Sequence, residues 1–435
     1  MKNRAFRTVT LAVAIASLAG TAACGSGGSG GSADKASGPV KIEFWGWAPG
    51  YEKSVELFNA SHPGVQVTYS KISPGSKGGY TKMLSAVKAG NAPCVGSVGF
   101  ETLPTFAAAG ALQDATAAAA PFAKEYGASA FAQSGVAGHT YGLPVDIAPM
   151  GLIYRKDLFA KYGINEAPRT WEEYAADAAT IHAADPNAYI GYFGNDAYNF
   201  AGLAQQAGAK WFATGGEKWT VDVNDAATKK VAAFWQGLID KKLVKVVPSF
   251  DTALYKGMGE GTILSDVNAV WDTPILADSV KQTSGNWAVA PMPVWDATKP
   301  ASGNAGGTPN AVLKGCAHVK EAVEFAHWFG TDPASVTNLI KETGIYPAAL
   351  TGLDNPALTE PNPFYGGQKI FDVFKASAAQ VDAGFQWGPV MTKTSGALGD
   401  GLGKAGAGTT TLDAALADTQ AQTLAEMKTQ GMEIG

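Results

Sequence analysis

The order and spacing of strand and helix patterns constrain this chain more than any other feature. "VKIEFWGW" (residues 40–47) reads as a strand with Ile42 and Phe44 on one face. Tyr51, Val55 and Phe58 then recur at i, i+4, i+7, a helical stripe that stops before "HPG". "VQVTYSKI" alternates Val65, Val67 and Tyr69, the period of a half-buried strand. Tyr80, Met83, Leu84 and Val87 make a second helical stripe closed by Gly90, and "CVGSVGF" (94–100) is a short apolar strand. Strand, helix, strand, helix, strand in steps of roughly 20–30 residues implies right-handed crossovers and a mainly parallel sheet.

The middle of the chain repeats this grammar. "YGLPVDIAPMGLIY" (141–154) is a long apolar extended run, able to pass from one sheet into another. Thr170 and Glu173 form a capping box that opens one helix, and Asp225 caps the next. "NAYIGYFG", "TILSDVNAVWD" and "NWAVAPMPVW" read as strands, the last two each ending in Trp. "GGTPNAVLK" is a returning strand before the helix "HVKEAVEFAHWFG", and Asp332-Pro333 starts another helix. The C-terminal third is helical, and no internal repeat stands out.

At the N-terminus, Lys2, Arg4 and Arg7 precede "VTLAVAIASLAG", an apolar stretch too short to span a bilayer comfortably. Small residues follow up to Cys24, so residues 1–23 read as an export signal. "TAAC" has the form of a lipobox with Thr21 where Leu is usual, which makes Cys24 the expected lipidation site. Residues 24–39 are then a flexible Gly/Ser tether. The leader holds three cations and no anion, so the rest is more acidic than the net −5 of the whole chain. An acidic chain without a basic run argues against nucleic acid and anionic membrane surfaces as partners. About 395 residues remain beyond the tether, too many for one small core and suited to two lobes. Beyond Cys24 only Cys94 and Cys316 remain, an even pair that in an exported chain reads as a disulfide candidate. Five scattered histidines show no metal-ligand spacing, so neither a metal nor a cofactor is expected.

Trp45, Trp47, Trp271, Trp295 and Trp387 recur at strand ends or in Gly/Pro-rich loops. A single Trp in an ordinary domain packs in the core. As a set beside polar partners at strand ends, where a ligand crevice borders an α/β sheet, they read as stacking platforms. Such rings lie flat against the apolar face of a sugar, whose hydroxyls then need planar acceptors and donors. Glu43, Glu101, Asp146, Asp272 and Gln386 lie beside the aromatics. Trp171, Trp219, Trp235 and Trp328 fall on helices or turns and read as core or surface residues.

"KIEFWGWAPG…VELFNASHPGVQV", "YTKMLSAVKAGNAP", "YGLPVDIAPMGLIYRKDLFAKYGI", "PRTWEEYAADA" and "GGTPNAVLKGCAHVKEAVEFAHWF" together resemble the family 1 extracellular solute-binding proteins. These are carbohydrate-binding lipoproteins of ABC importers, here of the actinobacterial type. The resemblance spans nearly the whole chain beyond the leader. It implies a two-lobed α/β periplasmic-binding-protein-like fold, with a hinge crossed several times and ligand held between the lobes. On this reading lobe 1 comprises residues 40–146 and 303–350, and lobe 2 comprises 147–302 and 351–435. The resemblance puts Trp45 and Trp47 on the first lobe's edge of the cleft and Asp146 at the first crossover. It puts Trp271 on the second lobe, Gly306 and Gly307 at the returning crossover, and Trp387 in the C-terminal helical part. Family members often carry Asp where this chain has Cys94, a departure that strengthens its pairing with Cys316.

The expected function is delivery of a di- or oligosaccharide to ABC permease subunits by a monomer anchored outside the cytoplasmic membrane. The sugar's identity stays open. A glycoside hydrolase would need two carboxylates at a fixed separation, which one dimension cannot distinguish from acids that bind hydroxyls. A sugar-sensing or adhesion lipoprotein is the other alternative. "GSKGGY" (75–80) lacks the Gly-Lys-Ser/Thr ending of a phosphate loop and reads as a cleft-edge loop.

Overall fold

A computed structural model describes residues 38–215 and 218–435. The expected export signal, Cys24 and nearly all of the tether lie outside the described residues.

Strand β1 (Val40–Gly46) buries Ile42, Phe44 and Gly46, while Glu43 and Trp45 on the opposite face stay half-exposed. It pairs in parallel with β2 (Val65–Lys71) on one side and β3 (Val95–Ser97) on the other. The helix Tyr51–Ser61 buries the expected stripe Tyr51, Val55 and Phe58, and the helix Gly79–Ala89 buries Tyr80 and Met83. Gly90 ends the latter in the left-handed conformation, as a glycine C-cap should.

The expected long run is strand β4 (Gly142–Arg155), 14 residues buried along almost its whole length. At the usual rise it is about 46 Å long, enough to serve two sheets. Its far part, residues 150–155, lies between β5 (Ser265–Ala269) and β6 (Trp287–Pro291), both antiparallel to it. Its near part pairs with β7 (Asn304–Val312), and Asp146 and Ile147 also pair with β8 (Tyr346–Pro347). The other edge of β7 joins β3, so the near sheet runs β2-β1-β3-β7-β4 and the far sheet is built on the end of the same β4. The result is two α/β halves that share one strand.

In the sheet that carries the crossover only β1, β2 and β3 pair in parallel, which corrects the expectation that it would be mainly parallel. The reason is topological: the chain leaves on β4 and comes back on β7, and neighbours that cross in opposite senses pair antiparallel. Two expected strands are also shorter. In "NAYIGYFG" the strand is only Tyr192–Phe193, with one isolated bridge at Tyr189, and "NWAVAPMPVW" stops at Pro291, leaving Trp295 in a loop. Pro291 and Pro293 lack the N–H a ladder needs.

The caps form as read. Thr170 Oγ1 accepts from Glu173 N–H at 3.1 Å, and Asp225 Oδ1 accepts from Thr228 N–H at 2.7 Å. Glu173 reaches back one residue further than a capping box requires, to Arg169 N–H at 2.7 Å. Asp332 caps the helix Pro333–Thr343. Cys94 precedes β3 and Cys316 follows β7, and because these strands are paired the two residues meet in a disulfide that closes 222 residues.

Candidate functional site

A continuous chain of contacts joins the exit of β1 to the exit of β5 through the crossover. Trp47 leaves β1 half-buried, edge-on to Tyr80 at 5.7 Å. Tyr80 O–H donates to Glu101 Oε1 at 2.8 Å and its oxygen accepts from Gly99 N–H at 3.0 Å. Phe100 N–H donates to Gly307 O at 3.0 Å, which ties this loop to β7. On β7 the register with β4 slips between Asn304 and Gly307, a bulge of extra residues at the crossover. Gly306 and Gly307 take φ of 128° and 100°, and a Cβ on Gly307 would lie 2.6 Å from the Phe100 ring. Only glycine fits this combination of backbone and space. Asn304 holds the bulge: its Oδ1 accepts from Ala148 N–H at 2.8 Å and its Nδ2 donates to Gly306 O at 2.7 Å. Trp271, just past β5, donates Nε1–H to Ala305 O at 2.8 Å, so its ring is fixed to the crossover. Phe250 lies next to it, ring centroids 6.0 Å apart.

Among the described residues, the acids along these contacts are buried without a basic partner. Burial raises the pKa of Glu101, with Tyr80 opposing the shift. Burial pushes Asp146 up to about 7, against the hydrogen bonds of Thr308 and with a further push from Glu101. Under the far sheet, burial together with Asp266's charge drives Asp272 far above the usual carboxylate range. Buried carboxyls with no cation beside them suit an uncharged polyhydroxyl ligand better than an anion, which needs basic groups. Among the described residues no cluster of three metal-ligating side chains exists.

The structure does not bring together all the residues singled out by the sequence. Trp45 leans on the first half, with Lys82 over its ring at 4.5 Å and its Nε1–H donated to Glu43 Oε1 at 2.7 Å. Asp272 is 1 % exposed and turned inward to Asp266, because it opens the helix Asp272–Ser279 on its buried side. Trp387 is buried among Phe385, Trp211 and Tyr198, with Gln386 half-buried beside it. Trp295 packs on Trp171 and Phe234 with Lys230 over its ring, in an outer pocket of about 440 Å³. That pocket shares no lining residue with the crossover site.

Other polar residues were missed. Asp196 caps the helix Ala197–Gln206, and Asn199 Nδ2 donates to Val267 O at 2.9 Å. With Tyr192, Ser249 and Asp266 they line a cavity of about 30 Å³, the size of one water. The sequence did carry a clue. Asp266 and Asn268 share a short strand with Val267 and Ala269, where burial demands a polar partner. Phe250 had no such clue.

A family model for the bacterial extracellular solute-binding proteins matches residues 46–335. The galacto-N-biose-/lacto-N-biose I-binding protein of the Bifidobacterium longum ABC transporter, solved with lacto-N-biose, superposes with a TM-score of 0.84 at 30% identity. That alignment covers 92% of this chain and 100% of the other. The ABC transporter associated binding protein from B. animalis subsp. lactis, in complex with beta-1,6-galactobiose, gives a TM-score of 0.80 at 30% identity, covering 91% and 99%. The lactose-binding protein of Rhizobium radiobacter is 22% identical over 360 residues, 79% of this chain and 83% of that protein.

Proposed function

This chain belongs to the bacterial extracellular solute-binding proteins, and from that premise we propose that it captures a di- or oligosaccharide at the crossover and delivers it to an ABC importer. The observation that carries this reading is the meeting of aromatic rings with buried, cation-free carboxyls on a glycine bulge. Trp47 and Trp271 supply the two ring faces, and Glu101 and Asp146 the hydroxyl contacts. Gly306 and Gly307 let the ligand approach the backbone. The lobes divide along β4 near Asp146, just before β7 at residue 303, and again near residue 350. This division is supported by the pairing of β4 first with β7 and then with β5 and β6.

The ligand is bound and released unchanged. Bound sugar incubated with the protein should be recovered intact, and appearance of its monosaccharides would revive the hydrolase reading. The chain works as a monomer. Permease subunits are its partners, and Cys24 carries the lipid that holds it outside the cytoplasmic membrane. Among the described residues no helix is long and apolar enough to cross a membrane. Cys24→Ala should therefore release the protein into the medium, and retention at the membrane would sink the anchor.

The function is tested by thermal shift against β-1,6-galactobiose, lacto-N-biose, lactose and cello-, malto- and chito-oligosaccharides. One sugar class should raise the melting temperature in a concentration-dependent way, because a ligand specific for the fold stabilises it by mass action. No shift with any sugar would overturn the reading.

A further inference from the structure

Phe250 sits in a conformation that its own side chain disfavours. Asp251 N–H donates to Pro248 O at 3.4 Å, closing a turn over residues 248–251 in which Phe250 takes the third position. Its φ is +63°, while Ser249 keeps a negative φ, the pattern of a type II turn. Glycine is the usual residue there, and a bulky side chain at positive φ is strained. The turn is held on both sides. Ser249 N–H donates to Asn195 Oδ1 at 3.2 Å, and Asp251 caps the following helix through Ala253 N–H at 2.8 Å.

The ring does not compensate for this strain by burial. Phe250 is 38 % exposed, and among the described residues it is the one aromatic of the strongly exposed large hydrophobics. It lies beside Trp271, centroids 6.0 Å apart and planes inclined by 37°. With Trp271 fixed by its bond to Ala305, the two rings form one bent apolar platform about two sugar rings wide. A strained, exposed aromatic next to an anchored one is kept for what it binds.

We propose that Phe250 is a ligand-binding residue that extends the Trp271 platform to a second sugar unit, so that the site selects disaccharides over monosaccharides. The inference rests on the sugar-binding reading above. It is tested by calorimetric titration of the parent and of Phe250→Gly, Phe250→Asn and Phe250→Tyr with β-1,6-galactobiose, lacto-N-biose and galactose. Gly and Asn both tolerate the turn's φ. Phe250→Gly should melt at or above the parent's temperature. Both variants should bind the disaccharides about tenfold or more weaker, with galactose affinity moved by less than about twofold. Phe250→Tyr, which keeps the ring, should bind like the parent. A parent that binds the disaccharide while Phe250→Gly and Phe250→Asn bind it equally well overturns this assignment alone. Equal losses for galactose and disaccharide overturn the second-unit role. Where another sugar of the thermal-shift set binds instead, that sugar and its monosaccharide serve as the probes, and a parent that binds no sugar of the set overturns both readings.

Discussion

Val270-Trp271-Asp272 and Val294-Trp295-Asp296 are the same tripeptide, each lying just beyond a strand of the far sheet. Their surroundings are opposite. Val270 N–H donates to Pro149 O at 3.0 Å, which docks the first copy on the crossover strand and gives Trp271 the Ala305 carbonyl for its Nε1–H. Val294 N–H donates to Arg169 O at 2.9 Å, docking the second copy at the start of the helix Trp171–Ala184. There the Trp295 ring packs among Trp171 and Phe234, and its Nε1–H finds no partner among the described residues. Even the aspartates diverge. Asp272 is buried against Asp266 and raised, whereas Asp296 is exposed and lowered by Thr298, whose hydroxyl donates to it at 2.7 Å. The side chains are the same, so the backbone each tripeptide docks against decides whether its Trp is fixed to the crossover or packs against an outer helix.

The largest expected effect breaks or upholds this contrast at once. Trp271→Ala should weaken sugar binding by about thirtyfold or more, as loss of an aromatic anchor worth about 2 kcal/mol does. Trp295→Ala should leave affinity within about twofold but destabilise the fold by about 2–3 kcal/mol, because its packed neighbours lose a large partner. Calorimetric titration and scanning calorimetry on both variants separate the two. Affinity lost in Trp295→Ala would erase the distinction.

A middle-sized effect lies in the pH dependence of the two aspartates. Asp272's folded pKa is raised, so its favourable contribution is whole below the unfolded value of about 3.9 and is lost as pH rises through the folded one. Asp272→Asn should therefore gain melting temperature relative to the parent between pH 4 and pH 8. Asp146, pushed up to about 7, slopes the same way in both proteins and cancels in the difference. Asp296 is depressed, so its contribution is present above the unfolded value and fades as acid protonates it. Being exposed, Asp296→Ala should shift the melting curve least of all. Equal pH slopes for parent and Asp272→Asn would contradict the buried-pair account.

What could be read in advance was local. The alternation that buries Ile42 and Phe44 while leaving Trp45 on the other face follows from a period of two within one strand. Thr170, Asp225 and Asp332 cap helices through atoms two or three residues away. The unusual length of β4 was written in one uninterrupted apolar run. What could not be read was pairing at a distance. Nothing near Trp295 announces that residue 294 docks on Arg169 rather than on the crossover. The antiparallel half of the near sheet is likewise set by β7, more than 150 residues after β4 begins. Phe250 escaped because its meaning lies in a backbone angle.

The most direct test is a crystal structure of the protein with the sugar that gives the largest thermal shift. The account expects a sugar ring lying flat on Trp271 beside the Gly306-Gly307 bulge, within hydrogen-bond reach of Asp146 or Glu101. Sugar bound over Trp295 in the outer pocket, with the face of Trp271 bare, would contradict it.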